Sequence, residues 1–332
     1  MTLSMGGPRA LPRMGLGCMN LSHAYGVPPS DEDGLALLRT ALDEGVTHLD
    51  TATLYGGGRN EELVGRALRG RRDEVVLASK GGMANVDGSK VIDGRPSTLR
   101  AQVDASLGRL GVDHIDLYYL HRWDKTVPIG ESVGALASLV EEGKIGAIGL
   151  SEVSVDRLRE AQAVAPIAVV QNEYSLWSRN PELGMLAATA AAGIALVAFS
   201  PVARGFLGDS VGDPNALAEK DIRRAMPRFQ PSNWPANAAL LPGWRALAAE
   251  AGCTPAQLAL VWLLSRGNHV VPIPGTTSIG HLRDNFAAES LSVDSALLER
   301  AGELIDTTTV SGPRYAPGPA AEVDAETFED AA

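Results

Sequence analysis

Cysteine is nearly absent from this chain of 332 residues: only Cys18 and Cys253 occur, far apart and in no metal-like spacing. A disulfide framework and a zinc site are therefore not expected, no other metal cluster stands out, and a reducing, cytoplasmic compartment fits. Positive charge is also in deficit, with 29 Lys and Arg against 40 Asp and Glu and a formal net charge of −11. Neutralising a run of phosphates requires a basic face, so this balance speaks against a general nucleic-acid binder or a protein that lies on anionic membranes. Long apolar runs are missing too. The Ala-rich stretch Met185 to Phe199 is too short to span a bilayer and is interrupted by Gly193. Met1 to Leu16 lacks a sustained apolar core and is broken by Gly6, Gly7, Pro8 and Pro12, unlike a secretory signal peptide. What remains, 45 % apolar and 21 % charged residues, is the composition of a globular body with core enough to fold without staples.

Short apolar runs alternate with longer amphipathic stretches along the whole chain, the pattern of a parallel α/β fold. The expected strands are Met14–Gly17, Thr47–Asp50, Val75–Ser79, Ile115–Leu120, Ala147–Leu150, Ala168–Gln171, Ala195–Phe199 and Val270–Ile273. Between them the periodicity predicts helices over Asp33–Glu44, Glu61–Leu68, Thr98–Leu110, Ile129–Glu142, Val155–Ala165, Pro181–Ala192 and Pro255–Ser265, with a closing helix near Ala296–Ile305. Thr254-Pro255-Ala256-Gln257 places a capping hydroxyl, a first-turn proline and a glutamine at the capping-box position, and Asn180-Pro181 suggests another cap. Gly45, Gly111, Gly143 and Gly193 follow helix ends, where a left-handed residue is favoured. Eight strands in one uninterrupted rhythm favour a closed (β/α)8 barrel, over residues 1–312 in a single domain, above the alternative of an open doubly wound sheet. The long connection Pro201 to Gly243, with Phe206, Phe229 and Trp234 and with Trp244 beside it, reads as a lid or substrate loop, or as an excursion pinned by its aromatics. Residues 313–332 read as an acidic, weakly ordered tail.

In such a barrel the C-terminal ends of the strands meet on one face. Asp50 ends the second strand, Tyr55 follows in its loop, Lys80 ends the third and His121 the fourth. A phenol is a poor acid at neutral pH, its pKa being about 10, but a neighbouring ammonium lowers that value. Lys80 is expected to do this for Tyr55, Asp50 to hold Lys80, and His121 to donate to a substrate oxygen as negative charge develops. Singly, Asp50 is as readily a turn cap, Lys80 a solvated charge and His121 a buried, satisfied histidine; their joint placement at successive strand ends carries the expectation.

These residues stand in motifs that resemble the aldo-keto reductase superfamily from about Met14 to Asn285. Leu49-Asp50-Thr51-Ala52-Thr53-Leu54-Tyr55-Gly56 with Asn60-Glu61-Glu62-Leu63-Val64-Gly65 resembles its second-strand signature, and Ser79-Lys80 and Leu120-His121-Arg122 its lysine and histidine motifs. Ile148-Gly149-Leu150-Ser151-Glu152, Gln171-Asn172-Glu173-Tyr174-Ser175 and Phe199-Ser200-Pro201 are similar to its cofactor-lining segments. The resemblance implies that a nicotinamide dinucleotide is bound, with Ser151 and Gln171 on the carboxamide and Phe199 stacked on the ring. It further implies cofactor contacts at Gly17, Met19, Asp50, Ser200, Val202, Arg204, Ile273, Gly275, Thr276, Thr277, His281, Arg283 and Asn285; Arg204, in the loop after the seventh strand, reads equally as a pyrophosphate contact or as a solvated loop arginine. Tyr55 and His121 would face a small carbonyl substrate, and the aromatic side chains of Tyr25 and Trp123 read either as an apolar mouth for it or as ordinary core packing. Gly56-Gly57-Gly58 lacks the lysine and spacing of a phosphate loop and reads as a turn.

Basic residues usually occupy several positions of the adenosine-phosphate segment Ile273 to Asn285, whereas here Thr277, Ser278 and His281 replace them and Arg283 is the evident cation. NADPH is expected from the resemblance, with NADH use open. The implied activity is NAD(P)H-dependent reduction of an aldehyde or ketone with Tyr55 as proton donor. Two alternatives stand beside it: a nicotinamide-binding regulatory subunit of the same fold, and a barrel isomerase or lyase without a redox cofactor, which leaves Ser151, Gln171 and Phe199 without a shared purpose. The physiological carbonyl and the oligomeric state are not specified by the pattern.

Overall fold

The computed structural model describes residues 3–4, 10–22 and 24–328. Eight parallel strands lie side by side in chain order: β1 (Leu16–Gly17), β2 (His48–Asp50), β3 (Val76–Gly81), β4 (Ile115–Leu120), β5 (Ile145–Ser151), β6 (Val169–Glu173), β7 (Ala195–Phe199) and β8 (Val270–Pro272). The two edges meet. Gly15 N donates to Pro272 O at 3.0 Å and Gly17 N to Pro274 O at 3.2 Å, which joins β1 to β8 and closes the barrel. All eight expected strands form, because each is an apolar run that a parallel sheet buries on both faces; in β3 and β4 every residue is buried. Alternate side chains point inward. Val76, Ala78, Leu117, Tyr119, Ala147, Val169, Ala195, Val197 and Val271 fill the interior, and Leu11, from an N-terminal hairpin (Leu3–Ser4 with Ala10–Leu11), packs into the same cluster. The same alternation carries Lys80, Ser151 and Gln171 to the inner face, one step above this apolar plug.

The outer layer comprises α1 (Asp31–Asp43), α2 (Arg59–Ala67), α3 (Pro96–Leu110), α4 (Ile129–Glu141), α5 (Val155–Gln162), α6 (Met185–Ala192), α7 (Trp234–Ala238), α8 (Leu241–Glu250), α9 (Pro255–Ser265), α10 (Ile279–Ala287) and α11 (Ser295–Leu304). Thr254 and Gln257 form the expected capping box, with Gln257 N donating to Thr254 Oγ1 at 3.2 Å and Thr254 N to Gln257 Oε1 at 3.0 Å. Gly45, Gly111, Gly143 and Gly193 are all left-handed, as their positions predicted. The helix expected over Pro181–Ala192 instead divides into a 3-10 turn, Asn180–Leu183, and α6; Asn180 does not cap it but donates to Glu326 O at 2.9 Å. No single helix among the described residues is long and apolar enough to cross a membrane.

Two regions complete the mouth of the barrel, and one of them, the tail, departs from expectation. The long connection after β7 contains α7 and runs into α8, and its aromatics pack on Trp177: the ring centroids of Phe206 and Phe229 lie 3.9 and 5.3 Å from it, and Trp234 stacks on Phe229 at 5.7 Å. Thus Phe206, Phe229 and Trp234 pin the loop, while Val202, Gly205, Gly208, Ile222 and Met226 of the same loop face the mouth of the barrel. The tail, expected to be weakly ordered, is bound through residue 326. Arg314 pairs with Glu152, Ser154 Oγ donates to Asp324 at 2.8 Å, Val155 N donates to Glu326 at 2.6 Å, and Lys125 Nζ donates to Val323 O at 3.1 Å. Its composition signals disorder because it has few large apolar residues. Its carboxylates nevertheless find the unsatisfied N–H groups at the start of α5, an attachment that hydropathy does not register.

Candidate active site

Lys80 is the centre of the polar layer. Its side chain, 0 % exposed, pairs with Asp50 Oδ1, donates to Thr51 O at 3.0 Å and reaches Tyr55 OH at 3.3 Å. Asp50 Oδ2 accepts from Gln171 Nε2 at 2.8 Å, so both carboxylate oxygens are engaged from within the barrel. The Tyr55 and His121 rings meet edge to face, centroids 5.8 Å apart at 85°, and both border the cavity above. Tyr55 is aimed by three successive left-handed glycines, Gly56 to Gly58 (φ 58°, 65° and 97°), which turn the chain directly into α2; this is a turn, as expected, and not a phosphate loop.

Burial raises the Tyr55 phenol above its ordinary value, and the Lys80 ammonium offsets only part of that rise. The sequence led to the opposite expectation, a lowered phenol, because Lys80 was weighed without the desolvation that accompanies it. Burial alone would lower Lys80, but Asp50 and Tyr55 together outweigh it and hold the ammonium above its ordinary value. The arrangement is a charged lysine beside a neutral phenol. That phenol is an acid able to protonate a strongly basic oxygen such as an alkoxide, and it stays protonated through the neutral range.

A cavity of about 880 Å³ opens over this cluster, within the size range that ligands occupy. Asp50, Tyr55, His121, Ser151, Gln171 and Phe199 form its floor, and Met19 and Tyr25 border it at the β1 side. Ser200, Val202 and Arg204 after β7, and Ile273, Gly275, Thr276, Thr277, His281 and Asn285 after β8, extend it into a trough. Gly17 and Gly275 let the two backbones close on it: a Cβ on Gly17 would lie 2.9 Å from Ile273 O, and one on Gly275 2.8 Å from Gly17 O. Backbone after strands seven and eight that ends on the start of a helix is where barrels of this kind hold phosphate groups. Here α10 supplies that start, with His281 N donating to Ser278 Oγ at 3.4 Å. The trough, its bare backbone and the exposed edge of Phe199 fit an extended dinucleotide.

Two expected contacts are not brought to the cavity. Arg283, 61 % exposed, turns outward and pairs with Glu44 on α1, at 2.8 and 2.6 Å, because the helical period places residue 283 on a different face from His281. Trp123 does not border the cavity either: Arg157 covers its ring at 3.9 Å and its Nε1 donates to Val127 O at 2.9 Å. Arg204 does border it, but its guanidinium is spent on Glu173 (2.6 Å), Tyr315 OH (3.0 Å) and Tyr25 OH (3.2 Å).

Several contributors escaped the sequence reading. Asn60 accepts from Thr51 Oγ1 at 2.6 Å and donates to Cys18 O at 2.8 Å, fixing the loop that carries Tyr55. Glu61, fully buried, accepts from Ser79 Oγ and from Arg109 Nε at 2.7 Å, which holds β3 behind Lys80. Both lie in the quoted Asn60-to-Gly65 segment, whose polar start before an apolar helix was the available signal. Tyr315 and Glu322, from the tail, also border the cavity, and no local pattern marks them.

The model of the Aldo/keto reductase family matches residues 13–305. The chain is 39 % identical to the aldo-keto reductase yakc [NADP(+)] of Schizosaccharomyces pombe over 97 % of its own length and 96 % of that protein. It is 41 % identical to a probable aldo-keto reductase of Glycine max over 91 % and 88 % of the two chains. Among solved structures it superposes on a glycerol dehydrogenase of Gluconobacter oxydans with a TM-score of 0.83 at 29 % identity, covering 95 % and 98 % of the two chains. It also superposes on an aldo/keto reductase of Klebsiella pneumoniae solved with NADP and acetate, with a TM-score of 0.72 at 27 % identity over 98 % and 99 %. With the closed eight-stranded barrel and the strand-end residues in place, the chain belongs to the aldo/keto reductase family.

Proposed function

We propose that this protein is an NADPH-dependent carbonyl reductase in which Tyr55 protonates the oxygen of an aldehyde or ketone. The observation that carries the reading is Lys80 Nζ, held between Asp50 and the Tyr55 hydroxyl, with Tyr55 and His121 side by side on the cavity floor. When bound, the reduced nicotinamide supplies a hydride to the carbonyl carbon. The protein's own groups manage the oxygen. His121 polarises it, Tyr55 transfers a proton to it, and Lys80 stabilises the phenolate left behind until solvent returns the proton. Asp50 keeps Lys80 charged and in place. Ser151 and Gln171 would hold the carboxamide and Phe199 one ring face, while Gly17, Gly275, Ser200, Val202 and the Thr276-to-Asn285 segment would follow the rest of the dinucleotide. The adenosine end offers Thr276, Thr277, His281 and Asn285, and none of the lining residues after β8 is a lysine or arginine, so NADH is also a usable cofactor. Cys18 and Cys253 are both free thiols, in keeping with a cytoplasmic location.

A panel of aldehydes and ketones with NADPH and with NADH tests this. Cofactor oxidation should begin only when a carbonyl compound is added. Tight cofactor binding with no turnover across the panel would favour a regulatory subunit of the same fold.

A further inference from the structure

Four lysine and arginine side chains border the cavity among the described residues: Lys90, Arg122, Arg204 and Arg223. Three are neutralised by the protein. Lys90 pairs with Glu322 at 2.6 Å, Arg204 with Glu173 at 2.6 Å and Arg223 with Asp221 at 2.7 Å. Arg122 is the exception. Its Nη1 donates to His121 O at 2.6 Å and to Ser151 Oγ at 3.1 Å, both neutral acceptors, and its Nε is buried with no acceptor among the described residues. Asp50 on the cavity floor and Asp124, two residues on in the chain, are already engaged. Asp50 is taken by Lys80 and Gln171, and Asp124 by Gly94 N, Thr126 N and Thr126 Oγ1. Arg122 follows His121 directly in the chain, and its charge is felt at the Tyr55 phenol.

A guanidinium with no counter-charge among the described residues is costly unless a ligand supplies one, and a carboxylate is its natural complement. The oxidised nicotinamide is itself positive. The phosphates of a dinucleotide follow the β7 and β8 loops, on the other side of the barrel from β4. The missing anion therefore belongs to the substrate. We propose that Arg122 is a specificity-determining residue that recognises a carboxylate, so that the preferred substrates are short carbonyl acids bearing a carboxylate within a few bonds of the reacting carbonyl. This rests on the carbonyl-reductase reading above. Anchoring the acid at Arg122 would hold the carbonyl between Tyr55 and His121 in one orientation.

The test compares 4-oxobutanoate with its methyl ester, in the wild type and in Arg122→Gln and Arg122→Lys, at low and high salt. The wild type should favour the free acid in kcat/KM by about 10–100-fold, the span expected of hydrogen bonds to a charged group. The preference should lie mostly in KM and shrink with salt. It should fall to about one in Arg122→Gln and return in part in Arg122→Lys. A wild-type ratio near one, or an unchanged ratio in Arg122→Gln, overturns the proposal while leaving carbonyl reduction intact. Equal losses on both substrates also overturn it, since they would make Arg122 a support for Ser151 and His121. Should Arg122→Gln not fold, the salt dependence of the wild-type ratio and the Arg122→Lys values decide. If neither compound nor any neutral aldehyde is reduced, the carbonyl-reductase reading fails. Calorimetric binding of succinate, which cannot react, then judges Arg122 by itself: binding weakened by salt and lost in Arg122→Gln supports recognition of a carboxylate, and its absence sinks it.

Discussion

Two clusters of buried charge occupy the same mouth of the barrel. On the β2-to-β4 side, Asp50 and Lys80 form an ion pair with Tyr55 as third partner. On the β5-to-β7 side, Glu152 pairs with Arg314, while Glu173 takes Arg204 at 2.6 Å and Tyr315 OH at 3.1 Å. Both clusters contain a buried carboxylate, a buried cation and a phenol that burial raises, Tyr315 to about 12. They differ in what is left over. In the first, the phenol faces the cavity beside His121. In the second, Tyr315 is spent on Glu173 and Arg204, and the result is a clasp that binds the tail across the strand ends. Buried ion pairs at a barrel mouth do not themselves mark catalysis; a proton donor that the network aims outward does.

The largest effect that separates the clusters is on chemistry. Tyr55→Phe keeps the ring packing and removes the proton, so turnover should fall by roughly 10²–10⁴-fold while the cofactor dissociation constant barely moves. Near wild-type turnover, in an assay limited by chemistry, would erase the distinction drawn above. Glu173→Gln should instead act on stability. It removes the carboxylate that faces Arg204, and breaking a buried pair from one side costs about 3–5 kcal/mol, measurable by urea unfolding. Burial would raise the Glu173 carboxyl, but Arg204, Arg314 and Arg228 pull it down to about 2. A carboxylate lowered in the folded state contributes stability above its unfolded value of about 4.3. That contribution should fade as the pH falls toward 2, and Glu173→Gln should flatten this acid limb; an unaltered limb would show that the clasp holds no linked proton.

Cofactor choice is decided at a third place, beyond β8. Thr277→Arg would set a cation beside the proposed 2′-phosphate position, where Arg283 is diverted to Glu44. NADPH binding should tighten by about tenfold, NADH binding should not, and the gain should shrink with salt. Equal tightening of both cofactors would remove the adenosine end from residue 277. The smallest effect is on the pH profile. Because burial holds Tyr55 above its ordinary value, kcat/KM for reduction should show no loss from Tyr55 between pH 7 and about 10, the ordinary phenol value. A Tyr55-dependent limb near neutrality, absent from Tyr55→Phe, would mean that Lys80 outweighs burial after all.

The sequence by itself determined the barrel and the chemical identity of its floor. Strand periodicity and apolar runs are local, and a parallel barrel makes every strand end converge, so Asp50, Lys80, His121, Ser151, Gln171 and Phe199 could be placed on one face before any coordinates. Tertiary structure decided the rest. The direction of the Tyr55 shift depends on desolvation, a property of everything packed around the phenol. Arg283 and Trp123 turn away from the cavity because a side chain's direction is set by the face its backbone presents and by partners such as Glu44 and Arg157, which are remote in sequence. The tail was misjudged for the same reason. Its attachment is made of carboxylates meeting the N–H groups of α5 and of Arg314 meeting Glu152, and composition counts such residues as solvated because it cannot see the partner that removes them from water.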